Sequence, residues 1–154
     1  MSPLLNIKSD FILRPATLDD CVLFFEWVND EDVRRHSFHT EKIEWQHHKK
    51  WFHNKMNSQQ SKLFVLSKNN IPIGQCRLDK EQEFWLIDYS IDKKYRGKSY
   101  GNIIVQMLIE KDYSPIKAIV KKNNIGSVKV FKNNFFSLQE DQYLNEDVYV
   151  FYKF

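Results

Sequence analysis

The sequence predicts a mixed α/β fold of one domain, with a mainly antiparallel sheet of six or seven strands. Three observations carry this reading. Seven short strand-like runs are interleaved with four segments whose apolar residues keep helical spacing. Three consecutive strand candidates between residues 62 and 92 are joined by turns too short for a crossover, so they pair antiparallel. After them strand and helix candidates alternate, which calls for a strand–helix–strand crossover.

In chain order, "FILRPAT" (Phe11 to Thr17) reads as a strand ending at Pro15. Thr17 then caps a helix over "LDDCVLFFEWVND", with Asp19 and Asp20 in the first turn where the helix dipole favours them. Asp30 to Thr40 reads as a loop or short helix. Thr40 is placed to cap "EKIEWQHHKKWFHNKM", whose stripe runs through Ile43, His47, Trp51 and Lys55. "KLFVLS" and "IPIGQCRLD" flank the turn "KNN", whose asparagines tolerate positive φ. "EFWLIDYSID" (Glu83 to Asp92) does not alternate polar and apolar positions and reads as a central strand covered on both faces. A helix from about Tyr100, a strand at Ile116 to Val120 and a helix at Asn124 to Asn133 follow. "FFSLQ" and "DVYVFYKF" form a closing hairpin across "EDQYLNE".

A chain of 154 residues suits a single domain with a real core. A net charge of +3 is too small to indicate a nucleic-acid partner. No stretch approaches the ~20 apolar residues of a membrane span, and no apolar leader opens the chain, so a cytoplasmic protein is expected. Cys21 and Cys76 read as buried free thiols. The histidines at 36, 47, 48 and 53 do not fall at metal-ligand spacing, and no metal site is expected.

The densest chemistry lies in "KKYRGKSYGNII" (93–104). A strand ending at Ile91, a glycine-containing turn and a helix start gather unpaired backbone N–H groups at one point. Those groups and the dipole favour an anion, and Lys93, Lys94, Arg96 and Lys98 add charge. The same residues equally suit a tight strand-to-helix turn with a solvated charged face.

"IDYSIDKKYRGKSYGNIIVQMLIEK" is similar to the acetyl-CoA motif of the GNAT N-acetyltransferase superfamily, (Gln/Arg)-x-x-Gly-x-(Gly/Ala). Arg96 fills its first place and Gly101 its last, while Ser99 stands at the middle glycine. "NIGSVKVFKNNFF" resembles the family's second segment through Asn124, Ser127, Phe131 and Phe135, with Asn134 set against its glycine. The opening "LRPATLDDCVLFFEWVNDEDVRRHSF" with "EWQHHKKWF" resembles a subgroup met in bacterial nonulosonic (pseudaminic or legionaminic type) acid and amino-sugar biosynthesis.

This resemblance implies a GNAT fold, with helices on both faces of the sheet and a splay between its fourth and fifth strands. It implies acetyl-CoA as co-substrate, bound by Ile91, Lys93, Arg96, Gly97, Lys98, Ser99, Tyr100, Gly101, Asn102, Asn124, Ser127 and Phe131. It further implies direct attack by a primary amine, most readily that of a nucleotide-linked amino sugar such as a UDP-sugar. Asp88 is the first candidate for the base, with Glu83 and His36 behind it, the backbone at Ile91 for the oxyanion, and Asn124 for the acyl site. The tyrosine that many relatives use as acid is Phe131 here, so Tyr89 or Tyr95 are the hydroxyls at hand. Arg34, His36, Phe38, Glu41 and Trp45 are the pool for the acceptor. The alternatives are acetylation of protein N-termini or small amines, or a non-catalytic acyl-CoA-binding module. The aromatic strand "VYVFYKF" is expected to offer an edge for a homodimer.

Overall fold

A seven-stranded sheet in the order β1-β2-β3-β4-β5-β7-β6 organises the chain in a computed structural model that describes residues 10–139 and 146–154. Its strands are β1 (Phe11–Pro15), β2 (Ser61–Lys68), β3 (Ile71–Glu81), β4 (Phe84–Ile91), β5 (Ile116–Lys121), β6 (Ser137–Gln139) and β7 (Val148–Lys153). The helices are α1 (Cys21–Val28), α2 (Glu31–His36), α3 (Trp45–Asn57), α4 (Tyr100–Ile109) and α5 (Ile125–Asn133). Strands β1 to β4 pair antiparallel in succession. Asn69 and Asn70 both take positive φ in the β2–β3 turn, the conformation asparagine tolerates best after glycine.

β4 and β5 run parallel and pair only at Trp85–Ile116 and Leu86–Lys117, after which the strands part. That opening is the splay the resemblance implies. One apolar core lies under α4 and α5 and includes Leu66, Leu78, Ile104, Leu108 and Phe151. The other lies under α1 and α3 around Phe24, Trp27, Phe52 and Val65. Helices therefore cover both faces.

Several sequence expectations change. α1 begins at Cys21 after a 3₁₀ turn at Leu18–Asp20. There Asp20 accepts the Thr17 N–H at 2.7 Å and a bidentate pair from Arg14 at 2.8 and 2.9 Å. Thr40 caps nothing, because α3 starts at Trp45. The backbone groups that an earlier start would need are taken by side chains from afar. The Asn29 amide donates to the Ile43 carbonyl and accepts its N–H, both at 2.8 Å. The guanidinium of Arg34 donates to the carbonyls of His39 and Glu41. The buried stripe of α3 runs through His48 and Phe52, and His47 is exposed.

β4 is central, as expected, but not covered on both faces: Asp88 is exposed where the sheet opens. β7 is no edge, since β5 flanks it on one side and β6 pairs with Val150, Phe151 and Tyr152 on the other, where the expected pairing with a second subunit would have to lie. It pairs antiparallel with β6 as anticipated, and most of the connecting "EDQYLNE" lies outside the described residues. Beyond α5 the left-handed residue is Phe135 (φ 64), while Asn134 keeps φ −96. The left-handed place expected at Asn134 is therefore taken by Phe135, and the aromatic after it, Phe136, is buried.

Candidate active site

The end of β4 is fastened before the chain turns into α4. Asp92 accepts the Lys94 N–H and the Trp27 indole N–H, both at 2.9 Å, joining the turn to α1. Arg96 donates to the Ile91 carbonyl at 3.0 Å, to Asp30 at 2.7 Å and to Asp32 at 3.0 Å. Asp30 is itself the N-cap of α2, accepting from Asp32 and Val33 N–H groups. The Arg96 guanidinium thus locks the turn to α2.

Gly97 (φ 79) and Ser99 (φ 64) both adopt left-handed backbone, and α4 starts at Tyr100. The two left-handed residues flank Lys98, and the first turn of α4 adds N–H donors with no intrahelical acceptor. No acidic residue occupies that turn to compete for them. Gly101 has a separate reason to be glycine. A Cβ there would stand 3.2 Å from both the Tyr89 ring and Val130.

A cleft of about 650 Å³ opens from this loop into the gap between β4 and β5. Ile91, Arg96, Gly97, Ser99, Tyr100, Gly101, Asn102, Asn124, Ser127 and Phe131 line it together with Asp88 and His36. Lys93 and Lys98 are exposed and are not among its lining. Asn124 caps α5, its Oδ1 accepting the Ser127 N–H at 3.3 Å. Phe131 is nearly fully buried, stacked on Phe151 and edge-to-face with Tyr89 at 5.9 Å. The Tyr89 hydroxyl lies 3.0 Å from Ser127 Oγ, and burial pushes its phenol up to about 12.

On the opposite face of β4 stand Asp88 and Ser90. Gln75, buried on β3, donates from one amide nitrogen to Asp88 Oδ2 and to Ser90 Oγ, both at 3.1 Å. Arg77 Nη1 is 3.9 Å from the same Asp88 oxygen, so Oδ1 is the carboxylate atom left for the cleft. Sequence reading passed over Gln75. Its signal was a lone amide in an apolar strand, but only the register Gln75↔Ser90 shows what it faces.

The acceptor pool separates. His36 lines the cleft, whereas Arg34, Phe38, Glu41 and Trp45 are not among its lining. Arg34 is spent on the carbonyls of Val28, His39 and Glu41 and on Ser37 Oγ. Trp45 packs on Phe25 and His48. Phe38 is 62% exposed on the loop and Glu41 is exposed beside it. Glu83 sits in the exposed turn before β4. Among the described residues no cluster of three His, Cys, Asp or Glu gathers, and no helix is long and apolar enough to cross a membrane.

A sheet parting between parallel central strands over an amide-lined helix start is an acetyltransferase scaffold. The sequence model of the acetyltransferase (GNAT) domain matches residues 10–136, and the chain belongs to that family. No curated protein sequence matches it. The ribosomal L7/L12 α-N-protein acetyltransferase RimL in complex with coenzyme A superposes with TM-score 0.80 at 16% identity, over 96% of this chain and 95% of that one. The spermidine N-acetyltransferase of Vibrio cholerae, in complex with CoA and spermine, gives 0.81 at 15% identity, over 94% and 95%. AAC(6')-Ib with ribostamycin and coenzyme A gives 0.79 at 16%, over 93% and 92%. These likenesses establish the shared fold.

Proposed function

We propose that the chain is an acetyl-CoA-dependent N-acetyltransferase acting on a primary amine, most readily that of a nucleotide-linked amino sugar. The observation that carries the cofactor is the left-handed pair Gly97 and Ser99 ahead of α4, opening onto the β4–β5 gap. Those residues fit a diphosphate: the donors are backbone, the approach is unobstructed at Gly97, and Lys98 adds charge nearby. The β4 edge at Ile91, freed where β5 turns away, leaves main-chain groups for the pantetheine arm. When bound, acetyl-CoA supplies the thioester acetyl group.

The chain's own part is orientation and charge. Backbone donors near Ile91 stabilise the developing oxyanion. Asp88, held through Oδ2 by Gln75, presents Oδ1 to take the amine's proton directly or through water. Holding both reactants in one cleft supplies much of the acceleration.

For the acceptor, the sequence resemblance favours an amino-sugar nucleotide, and the lining of the cleft suggests other contacts than those expected. His36, Arg35 and Lys121 line the cleft, the Lys121 ammonium donating to the Arg35 carbonyl at 3.2 Å. Arg35 also pairs with Asp32, so His36 and Lys121 are the groups proposed to meet a phosphorylated acceptor in place of Arg34. The related folds that act on a protein N-terminus or bind spermine keep peptides and polyamines as a second reading. The experiment is thiol release from acetyl-CoA against UDP-amino sugars, peptides, aminoglycosides and polyamines. Turnover on peptides or polyamines without amino sugars overturns the acceptor, and no turnover on any amine overturns the enzyme's proposed chemistry.

A further inference from the structure

The sheet continues the cleft into a surface that neither helix-covered core reaches. Cross-strand partners share a face, and alternate residues along a strand return to it. Phe84, Leu86 and Asp88 of β4 therefore point the same way as Lys117, Ile119 and Lys121 of β5 and Val150 and Tyr152 of β7. The core under α1 and α3 takes Leu63 and Val65 from β2 and no side chain from β4, β5 or β7. Phe84, Leu86, Ile119 and Tyr152 belong to neither core. We propose that this open face holds the nucleoside diphosphate end of the acceptor, its flat base on Tyr152 and Phe154 and its phosphates over Ile119, between Lys117 and Lys121. This rests on the N-acetyltransferase reading above and specifies the part of the acceptor that lies away from the amine.

Rings, charge and span select that occupant. Tyr152 and Phe154 lie 5.9 Å apart at an interplanar angle of 12°, and Phe84 packs on them at 5.0 and 6.4 Å. Phe154 keeps 76% of its surface in solvent, so the group ends in an open aromatic platform. Such a platform suits any base, because every base has a π face. Between Asp88 and Phe154 the positions on this face carry two lysines and no acid. Lys117 holds its ammonium 5.8 Å from the Tyr152 ring centre and joins no ion pair among the described residues. Lys121 gives one of its three N–H groups to the Arg35 carbonyl at 3.2 Å and keeps the others. Four residues of strand set the two lysines about 13 Å apart, within reach of anionic groups held between them. The same charges repel a polyamine. Phe84 precedes Asp88 by four residues, again about 13 Å along the strand, which leaves room for a sugar and two phosphates between the rings and the amine at Asp88.

Isothermal titration of UDP into the chain saturated with CoA tests the site, because bound CoA keeps UDP from reporting the turn before α4. UDP should bind with CoA present, and uridine or pyrophosphate alone should bind more weakly. Tyr152→Leu and Phe154→Ala should each weaken UDP roughly fivefold to tenfold, and Lys117→Gln roughly tenfold. CoA affinity should keep its wild-type value in all three. With a UDP-amino sugar as acceptor, Lys117→Gln should raise the acceptor KM at unchanged kcat, the signature of lost uniform binding. UDP that binds only without CoA, or that binds the wild type and the three variants alike, overturns the site and leaves the acetyl-CoA reading standing. Self-association in sedimentation that Phe154→Ala abolishes, with no UDP bound, gives the face to a second copy of the chain and also overturns the site. A wild-type chain that binds no CoA overturns the acetyl-CoA reading and this proposal with it.

Discussion

Replacing Ser99 by glycine should make the protein more stable. Ser99 holds φ 64 and ψ 22, its hydroxyl makes no capping bond, and the residue is exposed. A non-glycine residue in that region costs about 1–2 kcal/mol against its preferred basins. Glycine removes that cost but gives back roughly 0.5–1 kcal/mol through the freer unfolded chain. The balance is a gain of about 0.5–1 kcal/mol, which in a domain of this size raises Tm by about 2 °C. Urea unfolding at constant m-value reads it, with Ser99→Ala as control. Alanine keeps the left-handed cost and should fall within about 0.5 kcal/mol of wild type. Titration with CoA then separates backbone from hydroxyl. If the serine hydroxyl meets the diphosphate, both variants bind roughly three- to tenfold more weakly, whereas a purely backbone cradle leaves Ser99→Ala unchanged. A Ser99→Gly protein clearly less stable than wild type would refute the strain assigned to this residue.

Gly74→Ala should destabilise by about 2 kcal/mol or more, because its Cβ would stand 2.7 Å from the Ser90 carbonyl oxygen; an unchanged urea midpoint would refute this. Asp88→Asn should lower kcat with little change in acetyl-CoA KM. Gln75→Leu strips a donor from the Asp88 carboxylate, so kcat should fall with little change in acetyl-CoA KM. An unchanged kcat removes Gln75 from that role. Arg96→Ala should unfold about 1–3 kcal/mol more easily, by loss of its bonds to Asp30 and Asp32, and should raise acetyl-CoA KM by loosening the turn; steady-state rates and unfolding curves check both. Burial pushes the His48 imidazole down, although Nε2 meets the Cys21 carbonyl at 2.9 Å. Its folded value lies below the ~6.5 of the unfolded chain, so stability is full above that pH and declines as pH falls below it. Urea midpoints from pH 5 to 8 should show that slope, and His48→Gln should flatten it.

What the sequence made legible was what local rules control. The meander was readable because two-residue turns leave no room for another topology, and Asn69–Asn70 behaved as their side chains require. The turn into α4 was readable because glycine beside a helix start is a local signal. The misread places are those where a distant partner wins. α3 starts at Trp45 because Asn29 and Arg34, from elements upstream, take backbone groups that Thr40 and its neighbours would have turned into a helix. Arg34 and Arg96 looked like free cations for a ligand, since a sequence shows charge and not its partners. β7 looked like an edge because it closes the chain and is rich in aromatics, and a sequence does not show that β5 and β6 flank it.

The reassignment of Arg96 changes what its motif position does. Its three bonds reach the Ile91 carbonyl on β4 and the carboxylates of Asp30 and Asp32, so one side chain fixes the strand end, the turn before α4 and α2 together. α2 carries His36 and Arg35 into the cleft, and its N-cap Asp30 is one of those carboxylates. A cation that only bound phosphate would influence the cofactor and nothing else. On the substrate placement proposed above, this one would couple the two sides of the cleft. Its loss should therefore weaken both substrates, and a variant whose acceptor KM stays at the wild-type value while that for acetyl-CoA rises would show that α2 does not depend on the tether.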